Sequence, residues 1–226
     1  MRFSFAPATL FIAGALACGT AFAAGEYGVA YMGLRGSYVW TEDAGTTGNG
    51  LYDYDQTHEN GYGAALFMGW VLDESFRMEI EGGYRHADLD QVTIVRADLG
   101  AANAIGDVID AGGHADLGTA MVNLYYDVHV FDGSILPWIG AGLGGAYVDY
   151  NIVDTVNDDF NGKDNTWAFA YQFMAGVTFP VGEGVSMSVG YRYFKTEDFT
   201  YENTFGEEME TSLTQQSVDV GLQFHL

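Results

Sequence analysis

Residues 217–226 read SVDVGLQFHL, an unbroken alternation of polar and apolar side chains. In an extended strand successive side chains point to opposite faces. Val218, Val220, Leu222, Phe224 and Leu226 therefore share one face, and Ser217, Asp219, Gly221, Gln223 and His225 share the other. One such strand would fit a soluble sandwich as well as a membrane barrel. Seven earlier segments repeat the pattern and separate the two. Their apolar faces are Ala30 to Trp40, Tyr62 to Leu72, Phe76 to Tyr84, Ala120 to Val128, Ile139 to Tyr147, Trp167 to Phe179 and Val185 to Tyr193, each taken at every second residue. A soluble β-protein turns lysine, threonine and glutamate to water. Here the polar faces carry glycine, serine, arginine and a few carboxylates, and the apolar faces carry aromatics near their ends and smaller or aliphatic residues between. That is an apolar band with aromatic girdles around a polar lumen.

Connections alternate in length. Leu72 to Phe76, Phe131 to Ile135 and Pro180 to Val185 are tight turns. The other four, about residues 41–61, 87–118, 149–166 and 195–213, are long. Short periplasmic turns and long extracellular loops in alternation are the topology of an outer-membrane barrel. The expected fold is thus all-β: an eight-stranded antiparallel transmembrane β-barrel with four long extracellular loops and both chain ends on the periplasmic side. The longest apolar run after the first segment is only Ala64 to Leu72, too short for a membrane-spanning helix.

The first residues read as a secretory signal peptide, 1–23. Arg2 supplies the positive n-region, Leu10 to Cys18 the apolar stretch, and Ala21-Phe22-Ala23 the small-x-small cleavage site. Residues 24–226 are then the barrel domain. Cys18 is the only cysteine, so the cleaved chain has no disulfide. The rival reading, a lipoprotein box around Cys18, has Ala15 where a large aliphatic residue belongs. The net charge of −23 makes nucleic acid an improbable partner.

The stretches MVNLYYDV (121–128) and LPWIGAGLGGAYVDY (136–150) resemble the central hairpin of the Opacity-type outer-membrane surface antigens, a family of small β-barrels. WAFAYQFMAGVTFPV (167–181), VSMSVGYRYF (185–194) and FRMEIEGGYR (76–85) are similar to three further strands of that family. The resemblance covers nearly all of the chain after the signal peptide except the loops. It marks the barrel and implies adhesion or surface-antigen roles. Such proteins usually finish on a phenylalanine read by the barrel-assembly machinery, and this sequence finishes on Leu226.

Three patterns could mark a site. Gly140-Ala141-Gly142-Leu143-Gly144-Gly145 matches a dinucleotide fingerprint, which requires a helix straight afterwards. The alternation continues instead into Tyr147 as strand, so small residues leaving room for bulky neighbours are the better reading. Lipid A deacylases on such barrels carry His-x-Ser; none of His58, His86, His114, His129 and His225 has serine two residues on. No cofactor and no catalytic residue is expected. The four long connections hold 22 of the 31 acidic residues against Arg96, Lys163 and Lys195. Carboxylate clusters bind hard cations, and Asn157 to Gly162 has a faint calcium-loop pattern lacking its closing glutamate. These carboxylates read first as a solvated surface; the other reading is weak divalent-cation binding beside the phosphates of lipopolysaccharide.

Charges on the polar faces form the last pattern. Arg35, Arg77, Arg85 and Arg192 fall on lumen positions together with Glu79, Glu81, Asp127 and Asp219. Four positive and four negative side chains cancel formally. Enclosed charges are costly unless paired, so a connected salt-bridge network is expected, with the glycine-rich inner face of the fifth strand giving the long side chains room. The expected function is a surface-interaction protein, adhesin- or antigen-like, with outer-membrane lipid, lipopolysaccharide and an external surface or host ligand as partners. The alternative is a narrow channel or carrier for small or apolar solutes, and an envelope-lipid enzyme ranks last.

Overall fold

A computed structural model of the chain describes residues 29–42, 44–48, 52–58, 60–97, 108–129, 135–154, 162–202 and 208–226. The expected signal peptide, residues 1–23, lies outside the described residues, as does the calcium-like stretch 157–162 except for Gly162.

The elements in chain order are β1 (Ala30–Thr41), β2 (Ala44–Gly48), β3 (Tyr52–His58), β4 (Asn60–Val71), β5 (Phe76–Ala97), β6 (Val108–Asp127), β7 (Leu136–Asp154), β8 (Gly162–Gly182), β9 (Val185–Thr196), β10 (Phe199–Glu202), β11 (Glu208–Thr211) and β12 (Thr214–His225). Eight of them close a ring in the order β1, β4, β5, β6, β7, β8, β9, β12, every neighbour antiparallel. The first and last strands make the closing seam, with Leu34 opposite Leu222 and Tyr38 opposite Val218. Closure removes the strand edges, which lipid cannot satisfy.

Burial follows the alternation. Tyr31, Arg35 and Val39 of β1 are buried, whereas Met32, Leu34 and Tyr38 are exposed to the outside. The exposed set forms a belt. Tyr38, Tyr62, Tyr84, Trp167 and Tyr191 lie toward the long connections; Phe76, Tyr126 and Phe224 lie toward the turns; Leu34, Leu66, Ile80, Val122, Leu143 and Val220 lie between them. The chain is an all-β outer-membrane barrel. At the turn between β4 and β5, Asp73 Oδ1 accepts from the Ser75 and Phe76 amides at 2.7 and 2.8 Å. At the turn between β8 and β9, Gly184 adopts φ +69°, a conformation that favours glycine. Part of the third turn, residues 130–134, lies outside the described residues.

The long connections differ from irregular loops. Strands β5 to β8 run 22, 20, 19 and 21 residues, about twice the 9–11 needed to cross a bilayer at a tilt. Their outer halves pair with one another, and the short strands β10, β11, β2 and β3 extend the same sheet in that order up to β5. An outer tier of sheet therefore continues the barrel beyond the membrane belt. The cause is visible in Val92 to Val95, a β-branched run within the stretch of β5 that pairs with β3, past a bulge near Thr57 and His58. A second bulge between Leu89 and Gln91 shifts the register against β6. Bulges of this kind interrupt the alternation that a reader of the sequence follows.

Candidate functional site

The lumen has two levels with different chemistry. In the lower one, toward the tight turns, large side chains sit over glycines of the adjacent strand. A Cβ on Gly140 would come 2.6 Å from Cδ1 of Tyr125, and one on Gly176 would come 2.5 Å from Cζ2 of Trp138. Gly142 gives way in the same manner to Asn123 and to Gln172, and Gly69 to Tyr31. The glycine face of β7 thus makes room for Tyr125, Asn123 and Met121 of β6. This corrects the expectation that its space goes to the charged side chains. Tyr125 and Trp138 pack edge to face at 5.3 Å and form a small apolar cluster with Met174.

All eight charged positions of the inner faces are buried: Arg35, Arg77, Glu79, Glu81, Arg85, Asp127, Arg192 and Asp219. Seven are joined. Arg77 holds Asp127 by two bonds, Nε to Oδ2 at 2.6 Å and Nη2 to Oδ1 at 2.8 Å. Its Nη1 donates to the Tyr31 hydroxyl at 2.9 Å, which in turn donates to Glu79 Oε1 at 2.9 Å. Arg35 links Glu79, at 3.4 Å, to Glu81. Arg192 donates to both oxygens of Glu81, at 2.5 and 3.1 Å, and through Nε to Asp219 at 2.8 Å. Gln172 accepts from Arg192 at 2.9 Å and donates to Asn123 at 2.7 Å. Ser217 donates to Asp219 at 2.8 Å. The chain Asp127–Arg77–Tyr31–Glu79–Arg35–Glu81–Arg192–Asp219 crosses the interior from β6 to β12. Arginine suits such a chain because its planar fork bonds two acceptors at once. Rings back it: Arg35 lies 4.6 Å from the centroid of Phe67 and Arg77 5.0 Å from that of Tyr125.

Arg85 stands apart. Its guanidinium makes no hydrogen bond or ion pair with any described residue, its Nη1 is buried without a partner, and its carbon lies 4.7 Å from the centroid of Phe194. It marks the transition to the upper level. There the inner faces carry Val39 and Thr41 on β1, Gly61 and Gly63 on β4, Ala87 on β5, Leu117 and Thr119 on β6, Ala146 and Val148 on β7, Ala168 and Ala170 on β8, and Thr196 on β9. Leu213, just before β12, and Gln215 complete the circuit, and Gln215 donates to Thr41 Oγ1 at 3.2 Å.

Reading the polar faces for charge overlooked several members. Tyr31, Asn123, Gln172 and Ser217 bond directly into the network, and the apolar upper level was not foreseen. The available signal was that Tyr31, Tyr125, Phe194 and Leu117 occupy the polar phase of their strands.

On the outer face, His86 Nδ1 lies 2.6 Å from Asp116 Oδ1, and the Tyr84 hydroxyl donates to the same oxygen at 2.7 Å. This group belongs to the upper aromatic girdle, with the Tyr62 ring tilted against that of His86 at 5.1 Å. Among the described residues no group of three or more His, Cys, Asp or Glu side chains could hold a metal ion.

Known proteins share this architecture. The outer membrane protein OprG of Pseudomonas aeruginosa aligns with a TM-score of 0.63 at 10% identity, over 89% of this chain and 99% of that one. Neisserial surface protein A aligns with a TM-score of 0.50 at 12% identity, over 87% and 97%. At these identities the likeness shows the fold alone. An uncharacterized protein of Brucella abortus is 27% identical over 158 residues, 64% of this chain and 55% of its own length. An outer membrane protein of Gluconacetobacter diazotrophicus is 25% identical over 146 residues, 60% of this chain and 35% of its own length. The chain thus spans about half the length of the Brucella relative and a third of the other. The family model described as surface antigen matches residues 42–224. Nearly every strand of the ring falls within that match, and the chain belongs to the surface antigen family of outer-membrane β-barrels.

Proposed function

We propose that the barrel is a closed scaffold whose outer tier meets the surroundings of the cell: a surface-interaction protein, adhesin- or antigen-like, and neither a pore nor an enzyme. The observation that supports this reading is the ion-pair chain from Asp127 to Asp219. It crosses a ring of eight strands, a size whose interior side chains just fill. Sheet in place of slack loop gives the acidic connections a firm support. In this reading the protein is exported by its first 23 residues and inserted by the barrel-assembly machinery, and it sits among lipopolysaccharide. Divalent cations would bind weakly between loop carboxylates and lipid phosphates, whose like charges otherwise repel.

The test has two arms. The full-length barrel in planar bilayers should show no unitary conductance. Cells carrying it should lose adherence to a responsive surface when one of the segments 44–58, 89–113, 151–164 or 199–211 is replaced by a short turn. Steady conductance in the unaltered protein, or adherence untouched by all four replacements, overturns the proposal. The second reading, a carrier for small apolar solutes, is favoured by the apolar upper level of the lumen, and solute uptake by vesicles holding the barrel separates it from the first.

A further inference from the structure

We propose that the outer face of β5 and β6, just above the aromatic girdle, carries a site for a divalent transition-metal ion of the zinc or copper kind, built on His86, Asp88 and His114 with Asp116 behind His86. The inference does not depend on the surface-interaction reading. It begins from the register of two neighbouring strands. His86 pairs with Asp116, Ala87 with Ala115 and Asp88 with His114. The ladder is regular through these three pairs, because the bulge of β5 falls beyond them, between Leu89 and Gln91. Ala87 and Leu117 are buried inward, so parity puts positions 86, 88, 114 and 116 on the outer face. Two histidines and two aspartates thus occupy the corners of one patch. Directly opposed residues of such a ladder stand about 5 Å apart at Cβ, and diagonal ones, such as 86 and 114, about 7 Å. These spacings suit side chains that converge on one ion. The side chains of Asp88 and His114 are not among those described, so their part rests on register, and the described side chains alone make no metal group.

The described half of the patch has the form of a ligand and its support. His86 Nδ1 lies 2.6 Å from Asp116 Oδ1, and the Tyr84 hydroxyl donates to the same oxygen at 2.7 Å. Two ligand atoms on one tetrahedral zinc stand about 3.3 Å apart, given bonds of about 2.0–2.1 Å. At 2.6 Å Asp116 is therefore a hydrogen-bond acceptor for the ring and not its co-ligand. A carboxylate on one ring nitrogen keeps the proton there and puts the metal-binding lone pair on the other, Nε2; ligating histidines almost always have such a partner. The His86 and Asp116 side chains are partly exposed, so water and ions reach them from outside the membrane belt. Imidazole nitrogen selects the class of ion: it suits zinc and copper, whereas calcium and magnesium take oxygen ligands. The net charge of −23 raises the local concentration of any cation.

Zn²⁺ is the probe, titrated by calorimetry into the full-length folded barrel in phosphatidylcholine nanodiscs. Empty nanodiscs are subtracted, and excess Ca²⁺ is present to occupy sites made of oxygen alone. One saturable site per barrel is expected. His86→Gln and His114→Gln should each weaken it at least tenfold, and His225→Gln, at the periplasmic end, should leave it unchanged. Asp116→Asn, which spares the ring and alters its support, should weaken it about tenfold. With Cu²⁺ in place of Zn²⁺, electron paramagnetic resonance should show coupling to two imidazole nitrogens in the unaltered protein and to one in either histidine variant. The spectrum of the unaltered protein keeps the proposal testable should a variant fail to fold by circular dichroism. Absence of saturable Zn²⁺ binding beside Ca²⁺ overturns the proposal. So does binding that survives both histidine variants, or a Cu²⁺ spectrum without nitrogen coupling.

Discussion

The two levels of the lumen solve the same problem in opposite ways. Both lie inside one ring of strands, and both must fill a space of fixed width. The lower level fills it with large residues seated on glycines and joins its charges in one hydrogen-bonded chain. The upper level sets alanines and threonines beside Leu117, Phe194 and Leu213, and there Arg85 has no acceptor among the described residues. The strand geometry is continuous through both, so the backbone does not cause the difference; the side chains do. One ring of strands can therefore carry a charged, hydrogen-bonded interior at one level and a mainly apolar one at the next.

The sharpest way to break the contrast is to remove a hub of the lower network. Glu81 holds both Arg35 and Arg192. Glu81→Ala should cost about 3–5 kcal/mol, the expense of stranding buried charge, in reversible urea unfolding from lipid vesicles. A cost near that of an ordinary surface change would mean that the charges are solvated. Next in size is the face assignment on which the contrast rests. Leu222→Arg, on the lipid side of β12, should cost about 2–4 kcal/mol at mid-membrane. Changing its neighbour Gln223, 4% exposed on the inner face, to serine should cost clearly less in the same assay.

Packing gives a finer test. Gly142→Val drives a branched side chain into Asn123 and Gln172 and should destabilise by about 1–3 kcal/mol. The matching change in the upper level, Ala146→Val, extends an existing side chain instead of displacing two neighbours and should cost clearly less. Equal costs would erase the distinction between the levels. A small effect is also expected at Arg85. Arg85→Met removes a buried charge with no bonded partner, so stability should change by less than about 1 kcal/mol or rise. A loss comparable to Glu81→Ala would show that Arg85 belongs to the network after all.

The membrane-facing pattern was legible in the sequence because lipid and lumen impose opposite chemistry on alternate residues, and parity alone then assigns Val220 outward and Asp219 inward. The outer tier was not legible. Acidic residues such as Asp88 and Asp90 read as loop, and the bulge between Leu89 and Gln91 changes the phase of β5 just where the sheet continues. Nor could a balanced count of four arginines and four carboxylates reveal that one arginine goes unbonded. Which groups meet depends on how far neighbouring strands are offset, and parity carries no information about offset. The inward Tyr31 and Tyr125 were hidden for a related reason: an aromatic residue on a polar face looks like surface until the glycine beneath it is located on the next strand.

The seam between β1 and β12 carries a kinetic consequence. It joins Tyr31 to His225 and Thr41 to Gln215, so no ring exists until the strand made last has reached the strand made first. The entropy of closing so long a loop grows only logarithmically with its length, but contacts this remote in sequence form slowly. Until they form, β1 and β12 present unpaired amides and carbonyls along the seam, which hydrocarbon does not tolerate. Insertion is therefore close to all-or-none. An intermediate with seven strands would persist only where another surface lends it a temporary edge.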